Sequence, residues 1–380
     1  MTALPFVPGV HFETANVRNL LRSIGIEATE AMCLGIGGGI AAGYQFCPSV
    51  QGYEEVQCSG VQFVPRGKMM TTNGAWYRDT ISRLGLVMDV RESAGKKAAQ
   101  TNLESGVSSG KVVVAWTTPL RLSHSINWLA TCGMYSVLVH GIADGVVTYS
   151  DHVSVRTIDA TSFAAARERV CSLKNRTMTI APGAISSAQW KHAVLEGLRE
   201  TASDFAKPKL GTFNLPGLKE GAAMINGKGK RSWPVVFPGE RLFLPMRDLY
   251  ESIEIGTGGG LMRPLYADFL EEAASLLAWK ELEPLADSYR TLGKQWTAFA
   301  DFLLPDQFSA NRQAMKKLAA GDESQRETLR ILQQSPFPWN SGRVDEFRAE
   351  AAERLSELYR REAETAARLT AVVQGRESLT

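Results

Sequence analysis

Near residue 180 the hydrophobic period of the chain changes, and that change limits the architectures open to it. From residue 1 to about 178 strand and helix spacings are mixed, and from about 186 onward the helical period dominates. A chain of 380 residues is also longer than one hydrophobic core comfortably organises. Two packed domains are therefore expected: an α+β domain over 1–180 and a mainly α-helical domain over 181–380.

In the first half, Val17, Leu20, Leu21 and Ile24 recur at helical spacing, with Gly25 positioned to stop the helix. Lys111 to Trp116 is a short, mostly apolar run that suits a buried strand. Ser136–His140 and Gly145–Tyr149 form a further strand pair, joined through Gly141–Asp144 as a tight hairpin. Phe163, Ala164 and Ala166 follow as a helix. In the second half, Leu265, Phe269, Ala273, Leu276 and Leu277 share one helical face behind Pro264, a residue tolerated in a first turn. Phe347, Ala351, Leu355, Leu358, Ala366, Leu369 and Val373 form a long apolar stripe among Arg and Glu. Pro208 to Pro238, rich in Pro, Gly and Lys, reads as the longest loop. No internal repeat is evident.

Charge and composition then exclude several classes of function. With 42 basic and 40 acidic residues the net charge is +2, which gives no reason to expect nucleic-acid binding. The apolar runs fall far short of a membrane span, and the first residues lack the basic-then-apolar pattern of a signal peptide. Cys33, Cys47, Cys58, Cys132 and Cys171 make an odd set without a CxxC pair. Each is expected as a small buried hydrophobe in a reducing compartment, hence the cytoplasm. His11, His124, His140, His152 and His192 show no HExxH or paired spacing, so neither a metal nor another cofactor is expected.

Two segments of the first half carry a resemblance. His11-Phe-Glu-Thr-Ala-Asn-Val-Arg-Asn-Leu-Leu21 leads into Glu30-Ala-Met-Cys-Leu-Gly-Ile-Gly-Gly-Gly39. Tyr135-Ser-Val-Leu-Val-His-Gly-Ile142 is followed by Val147-Thr-Tyr-Ser-Asp151. Together they resemble the butirosin biosynthesis protein H family and the strand pair of papain-like folds. Gly256-Thr-Gly-Gly-Gly-Leu-Met-Arg263 and Tyr266 to Ala273 resemble the helical domain fused behind it. The resemblance implies a papain-like N-terminal domain and acyl transfer. The family's named member passes an acyl group from a carrier-protein thioester to the amine of an aminoglycoside. Such a fold uses a Cys at a helix N-terminus, a His base and an Asp that orients the His. Here Phe12 stands at the Cys position and Tyr135 at the His position; Asp151 alone matches.

The candidate catalytic residues are thus His11, Glu13, Tyr135 and Asp151. Each also has a structural reading. Glu13 suits the first turn of a helix, where negative charge is favoured. Tyr135 packs beside Phe12 or donates a hydrogen bond to a substrate carbonyl. Asp151 caps the turn after its strand. His152 is expected at the surface, and His140 as a satisfied buried histidine. The candidate substrate-binding residues are Phe12, Gly258, Gly259, Arg263 and Tyr266. Exposed N–H groups of the glycine run would hold a carboxylate or phosphate, with Arg263 as charge partner. Gly35 to Gly39 is a tight turn and not a dinucleotide fingerprint, because the residues before it look helical.

Two functions follow from the resemblance. One is a natural-product biosynthesis enzyme resembling carrier-protein-dependent acyltransferases. It would act on an activated acyl or aminoacyl group (amide formation, condensation or cyclisation) without a cysteine nucleophile. The other is a non-catalytic protein that binds a small molecule or partner on the same scaffold. If His11, Glu13 and Asp151 are tied up in structural hydrogen bonds, binding gains; if two converge on an open pocket, catalysis gains. The partners implied are an acyl carrier protein or its phosphopantetheine thioester and a small-molecule amine or amino acid. Lys219, Lys228, Lys230 and Arg231 are the docking candidates for the acidic carrier. No membrane partner is expected, and oligomeric state, a homodimer included, is left open.

Overall fold

The computed structural model describes residues 6–47, 58–67, 75–118, 122, 135–168, 170 and 173–377. Cys132, Cys171 and His124 lie outside the described residues. Up to residue 180 the elements are α1 (Phe12–Arg22), α2 (Glu30–Ile36), β1 (Gly43–Phe46), β2 (Val61–Val64), α3 (Ala75–Arg83), β3 (Met88–Arg91), α4 (Lys96–Ser108), β4 (Val113–Thr117), β5 (Tyr135–Ala143), β6 (Val146–Ser150), β7 (Val155–Asp159), α5 (Ala160–Glu168) and β8 (Thr177–Ile180). Helices follow: α6 (Ser187–Ala206), α7 (Leu215–Ile225), α8 (Trp233–Val236), α9 (Phe243–Tyr250), α10 (Arg263–Leu277), α11 (Glu283–Leu303), α12 (Ser309–Ala319), α13 (Gln325–Leu332) and α14 (Ser341–Glu377). The architecture is α+β, with a sheet domain first and a helical region after it. No described helix is long and apolar enough to cross a membrane.

The chain divides into two compact units. One holds the described residues within 1–37, 68–196 and 319–323; the other holds those within 38–67, 197–318 and 324–380. The main crossover lies inside α6, between Glu196 and Gly197, later than the change of hydrophobic period. Residues 38–47 and 58–67, from the half of mixed period, pack with the helical unit, where β1 and β2 pair antiparallel.

The first unit is built on a sheet of order β3-β8-β4-β5-β6-β7, its strands paired antiparallel. β4 is buried along its whole length, which explains why Val113 to Trp116 read as an apolar run without alternation. On one face Val113, Ala115, Val137, Val139 and Tyr149 pack with Leu103 of α4 and Phe163 of α5. On the other, Trp116 meets the ring of Tyr77 from α3, and the Tyr77 hydroxyl lies 2.7 Å from Ser136 Oγ. The β5–β6 hairpin is tighter than its expected four-residue connection. Asp144 (φ 51°) and Gly145 (φ 74°) form the turn, and both left-handed conformations suit a two-residue type I′ connection. Gly141, Ile142 and Ala143 therefore belong to β5, and a bulge at His140 absorbs the register change.

In the helical unit α10, α11 and α14 pack together, and α7 packs on α14. The stripe of α14 runs from Val344 to Val373, with Glu362 fully buried between Leu358 and Ala366. The face of α10 is centred on Tyr266, Phe269, Leu270 and Ala273, while Leu265, Leu276 and Leu277 sit at its half-buried edge. Pro208 to Pro238 is not a loop, because α7 and α8 form within it. The Asn214 side chain accepts from Leu215 N at 2.8 Å, and Pro216 occupies the first turn of α7. Gly221 is a packing residue: a Cβ there would lie 2.4 Å from the Tyr44 ring. Ahead of α10, Gly258 to Gly260 all have positive φ, followed by Leu261 (φ 52°) and Met262 (φ 66°), both fully buried.

Candidate functional site

α1 starts at Phe12 because His11 caps it: His11 Nδ1 accepts from Glu13 N at 3.3 Å. The chain before it is strapped back over the helix. Arg18 donates to the carbonyls of Val7 and Pro8, and Asn19 Nδ2 donates to Val7 O at 2.9 Å. Under this strap lies Glu30, from the first turn of α2. Its carboxylate accepts from Val10 N (3.0 Å), His11 N (2.9 Å) and Thr14 Oγ1 (2.7 Å), and Arg18 stands 3.5 Å away. A buried anion thus sits on the N-terminal end of α1, where the helix dipole favours it. Gly9 makes room: a Cβ there would lie 2.5 Å from Glu30 Oε2.

Phe12 faces the sheet. Its ring centroid is 4.7 Å from that of Tyr135 at the start of β5 and 4.5 Å from that of His11. Asn16, one turn further along α1, donates to Ser136 O at 2.8 Å and fixes the helix against β5. Tyr135 is buried, and its hydroxyl lies 3.0 Å from His152 Nδ1. Burial, and then the nearby charge of Asp151, push the phenol well above its usual range. It stays protonated at neutral pH, and in the Nε2–H tautomer of His152 it donates to Nδ1. Gly9 N donates to His152 O at 2.7 Å, which ties the strap to the same corner.

Asp151 is committed to the turn between β6 and β7. Oδ1 accepts from Val153 N at 2.6 Å and Ser154 N at 2.8 Å, and Oδ2 lies 3.4 Å from Arg156 Nε. That is an Asx turn with an ion pair attached. Glu13 is fully buried on α1. His11, Phe12, Tyr135 and Asp151 therefore all belong to this corner of the first unit.

The second group of residues lies elsewhere. Gly258, Gly259, Arg263 and Tyr266 are in the helical unit. Arg263 is fully buried. Its Nε donates to Glu362 at 2.7 Å, and its terminal nitrogens donate to Leu261 O at 2.6 Å and Ala41 O at 2.7 Å. With its donors spent inside the core, Arg263 is not a charge partner for a ligand at the glycine run. Tyr266 is equally buried, in ring contact with Phe269 and Tyr289. The glycine run has an internal anion already: Gly260 N donates to Glu254 Oε1 at 3.3 Å, and Thr297 Oγ1 donates to the same oxygen at 2.7 Å.

Two residues of the first corner escape a reading of the sequence. Glu30 looks like an ordinary first-turn acid of α2, capped by Thr29, and nothing in its spacing reveals that it reaches back to α1. His152 is half-buried and faces Tyr135 instead of lying at the surface. Its position next to Asp151, at the end of the strand paired with β5, is the available signal. His140 is half-buried, with Nε2 2.7 Å from Ser150 Oγ and Nδ1 without a partner among the described residues.

Residues 11–152 match the family described as butirosin biosynthesis protein H, N-terminal. Residues 162–329 match a domain of unknown function, DUF4872. In that order the two matches support membership of the butirosin biosynthesis protein H family. None of the curated proteins compared with the chain matches it.

Proposed function

For a chain whose residues 11–152 match the butirosin biosynthesis protein H N-terminal domain, we propose a role in natural-product biosynthesis. On this reading the first unit is papain-like, and its site binds an activated acyl or aminoacyl group without forming a covalent intermediate. The observation that carries it is the contact of Phe12 with Tyr135, ring centroids 4.7 Å apart, the two residues that the resemblance aligns with the family's Cys and His. A phenyl ring cannot form a thioester, and a phenol held protonated is no base at neutral pH. Asp151, the third position, is engaged by two backbone N–H groups and Arg156. His11 caps α1 with the ring nitrogen that would otherwise take a proton. These commitments favour binding over turnover.

A second reading rests on the hydrogen bond between Tyr135 and His152. A thioester is already activated, so aminolysis needs only alignment of the amine and a base to take its proton. This reading needs the Nδ1–H tautomer, in which the half-buried His152 donates to the Tyr135 oxygen, which orients the ring, with Nε2 as the base. The acyl donor on either reading is an acyl carrier protein or its phosphopantetheine thioester, and the acceptor is a small amine or amino acid. Lys219, Lys228 and Lys230 are exposed and suit an acidic carrier; Arg231 is partly spent on Phe46 O at 3.0 Å.

The test uses the full chain with the N-acetylcysteamine thioester of acetate and glycinamide as acceptor. Calorimetry should give saturable thioester binding, intact mass should show no acyl adduct, and amide should form no faster than in buffer. Amide formation that is lost in His152→Ala would overturn the binding reading in favour of the second.

A further inference from the structure

The helical unit contains a recess that the proposed function does not use. It encloses about 540 Å³ between the start of α9, the turn leading into α12, and the segment that follows α13. That is within the range of small-molecule sites. Phe243, Phe308 and Phe337 line it, with Phe308 5.4 Å from Phe243 and 6.0 Å from Phe337 between ring centroids. Trp339 stands behind them, 5.6 Å from Phe308 and 5.3 Å from Phe337. The rings make an aromatic wall.

Two amides line the same recess. Asn311, on α12, is 6% exposed, and its Nδ2 has no hydrogen-bond partner among the described residues. Gln333, at the end of α13, has a buried Nε2 that is likewise without a partner. A buried N–H that makes no bond is costly and uncommon, so two of them, on residues that line one recess, ask for an acceptor from outside the fold.

The charge of that acceptor follows from the surroundings. Arg241 and Glu240 are adjacent in sequence, opposite in sign and exposed at the rim. Arg312, next to Asn311, is engaged by Asp301 at 2.9 Å and Asp306 at 2.7 Å. A carboxylate would find Arg241, and an ammonium Glu240, only where the lining is exposed; either would lose its hydration without a buried counter-charge. A neutral carbonyl on an aromatic body matches both walls.

We infer that this recess is a binding site for a neutral aryl carboxamide. Its carbonyl oxygen accepts from the amide nitrogens of Asn311 and Gln333, and its ring packs among Phe243, Phe308 and Phe337. The inference does not depend on the role proposed for the first unit.

The full chain is titrated with N-benzylacetamide, benzoate and N-(cyclohexylmethyl)acetamide, followed by saturation-transfer NMR and by the shift in Tm. N-benzylacetamide should bind saturably, about tenfold or more tighter than the anion and the non-aromatic amide. Asn311→Leu and Gln333→Leu should each weaken it about tenfold while Tm without probe does not fall, because neither change removes a bond the fold makes. Gln333 sits at a half-exposed helix end, so its variant reads out binding even where a change at Asn311 disturbs packing. Absence of saturable binding by N-benzylacetamide overturns the inference. So does equal binding of the cyclohexyl analogue, or variants that lower Tm and leave probe binding unchanged.

Discussion

Glu30→Gln isolates what the buried carboxylate under the N-terminal strap contributes. The substitution keeps the shape of the side chain but turns one oxygen into a donor. With Oε1 retained, the bonds from His11 N and Thr14 Oγ1 survive, at 2.9 and 2.7 Å. The Oε2 position becomes an NH₂ facing Val10 N and Arg18, both donors. The shorter arm of the bond from Val10 N is lost, leaving 3.2 Å to Oε1; a charge-assisted bond is worth at most about 1.5–3 kcal/mol, and the favourable charge at the α1 N-terminus adds about 0.3–1 kcal/mol. The half-buried ion pair with Arg18 is discounted. A loss of about 2–4 kcal/mol lowers the melting temperature of the first unit by roughly 5–15 °C at 2–4 °C per kcal/mol. Differential scanning calorimetry of wild type and Glu30→Gln measures it. A variant that melts within about 1 °C of wild type would show that the strap is held by its other contacts, and Glu30 would lose its role in anchoring the start of α1.

Three further predictions follow from the same geometry. Phe12→Cys should label only slowly with a thiol-reactive probe at pH 6, because Glu30 already supplies the negative charge at the helix start. Phe12→Cys with Tyr135→His should label faster, through a thiolate–imidazolium pair, and equal rates would mean that Tyr135 is not at the base position. Burial lowers the pKa of His140 below the usual imidazole value of about 6.5. The unfolded chain then binds the extra proton more readily, so stability is complete above that value and declines as pH falls through it. Urea midpoints between pH 7.5 and 5 should decline more steeply for wild type than for His140→Gln, and parallel curves would count against it. Arg263→Met and Glu362→Leu should each cost about 3–5 kcal/mol by leaving a buried charge unpaired, and the double variant should recover most of that loss in denaturant unfolding. Additive losses would refute a paired role.

The parts of the fold legible in the sequence are those set by local spacing. α1 and α14 announce themselves by apolar period, and β4 by a run too apolar for a strand with a wet face. α7 is hidden because its signals are those of a loop. Pro216 marks a first turn, and Gly217 and Gly221 are there for the approach of neighbouring chain. The hairpin turn is misplaced when Gly141 is weighted over the Asp144-Gly145 pair, which carries the stronger turn chemistry. At the site, the cluster of Phe12, Tyr135 and Asp151 is accessible through the resemblance to a family. Arg263 misleads because a conspicuous arginine beside glycines suggests an anion site. Its true partner, Glu362, is 99 residues away on the stripe of α14, where an acid interrupts apolar residues at the same spacing.

The left-handed run before α10 bears on the order in which the helical unit assembles. Leu261 and Met262 each hold a conformation that costs an L-residue roughly 1–2 kcal/mol, and the glycines before them gain nothing locally by joining them. Only complete burial of the two side chains offsets that cost, and burial requires α10 and α11 to be in register first. Gly260 sharpens the requirement: a Cβ there would lie 2.9 Å from the backbone of Gly293, so the turn closes only onto a finished α11. The segment is therefore expected to form on the late side of the folding barrier. Leu261→Gly, which relieves the backbone and removes the side chain, should leave the refolding arm of a chevron plot in place and move only the unfolding arm. That outcome would mean that two residues with no part in nucleating this unit set the rate at which it comes apart.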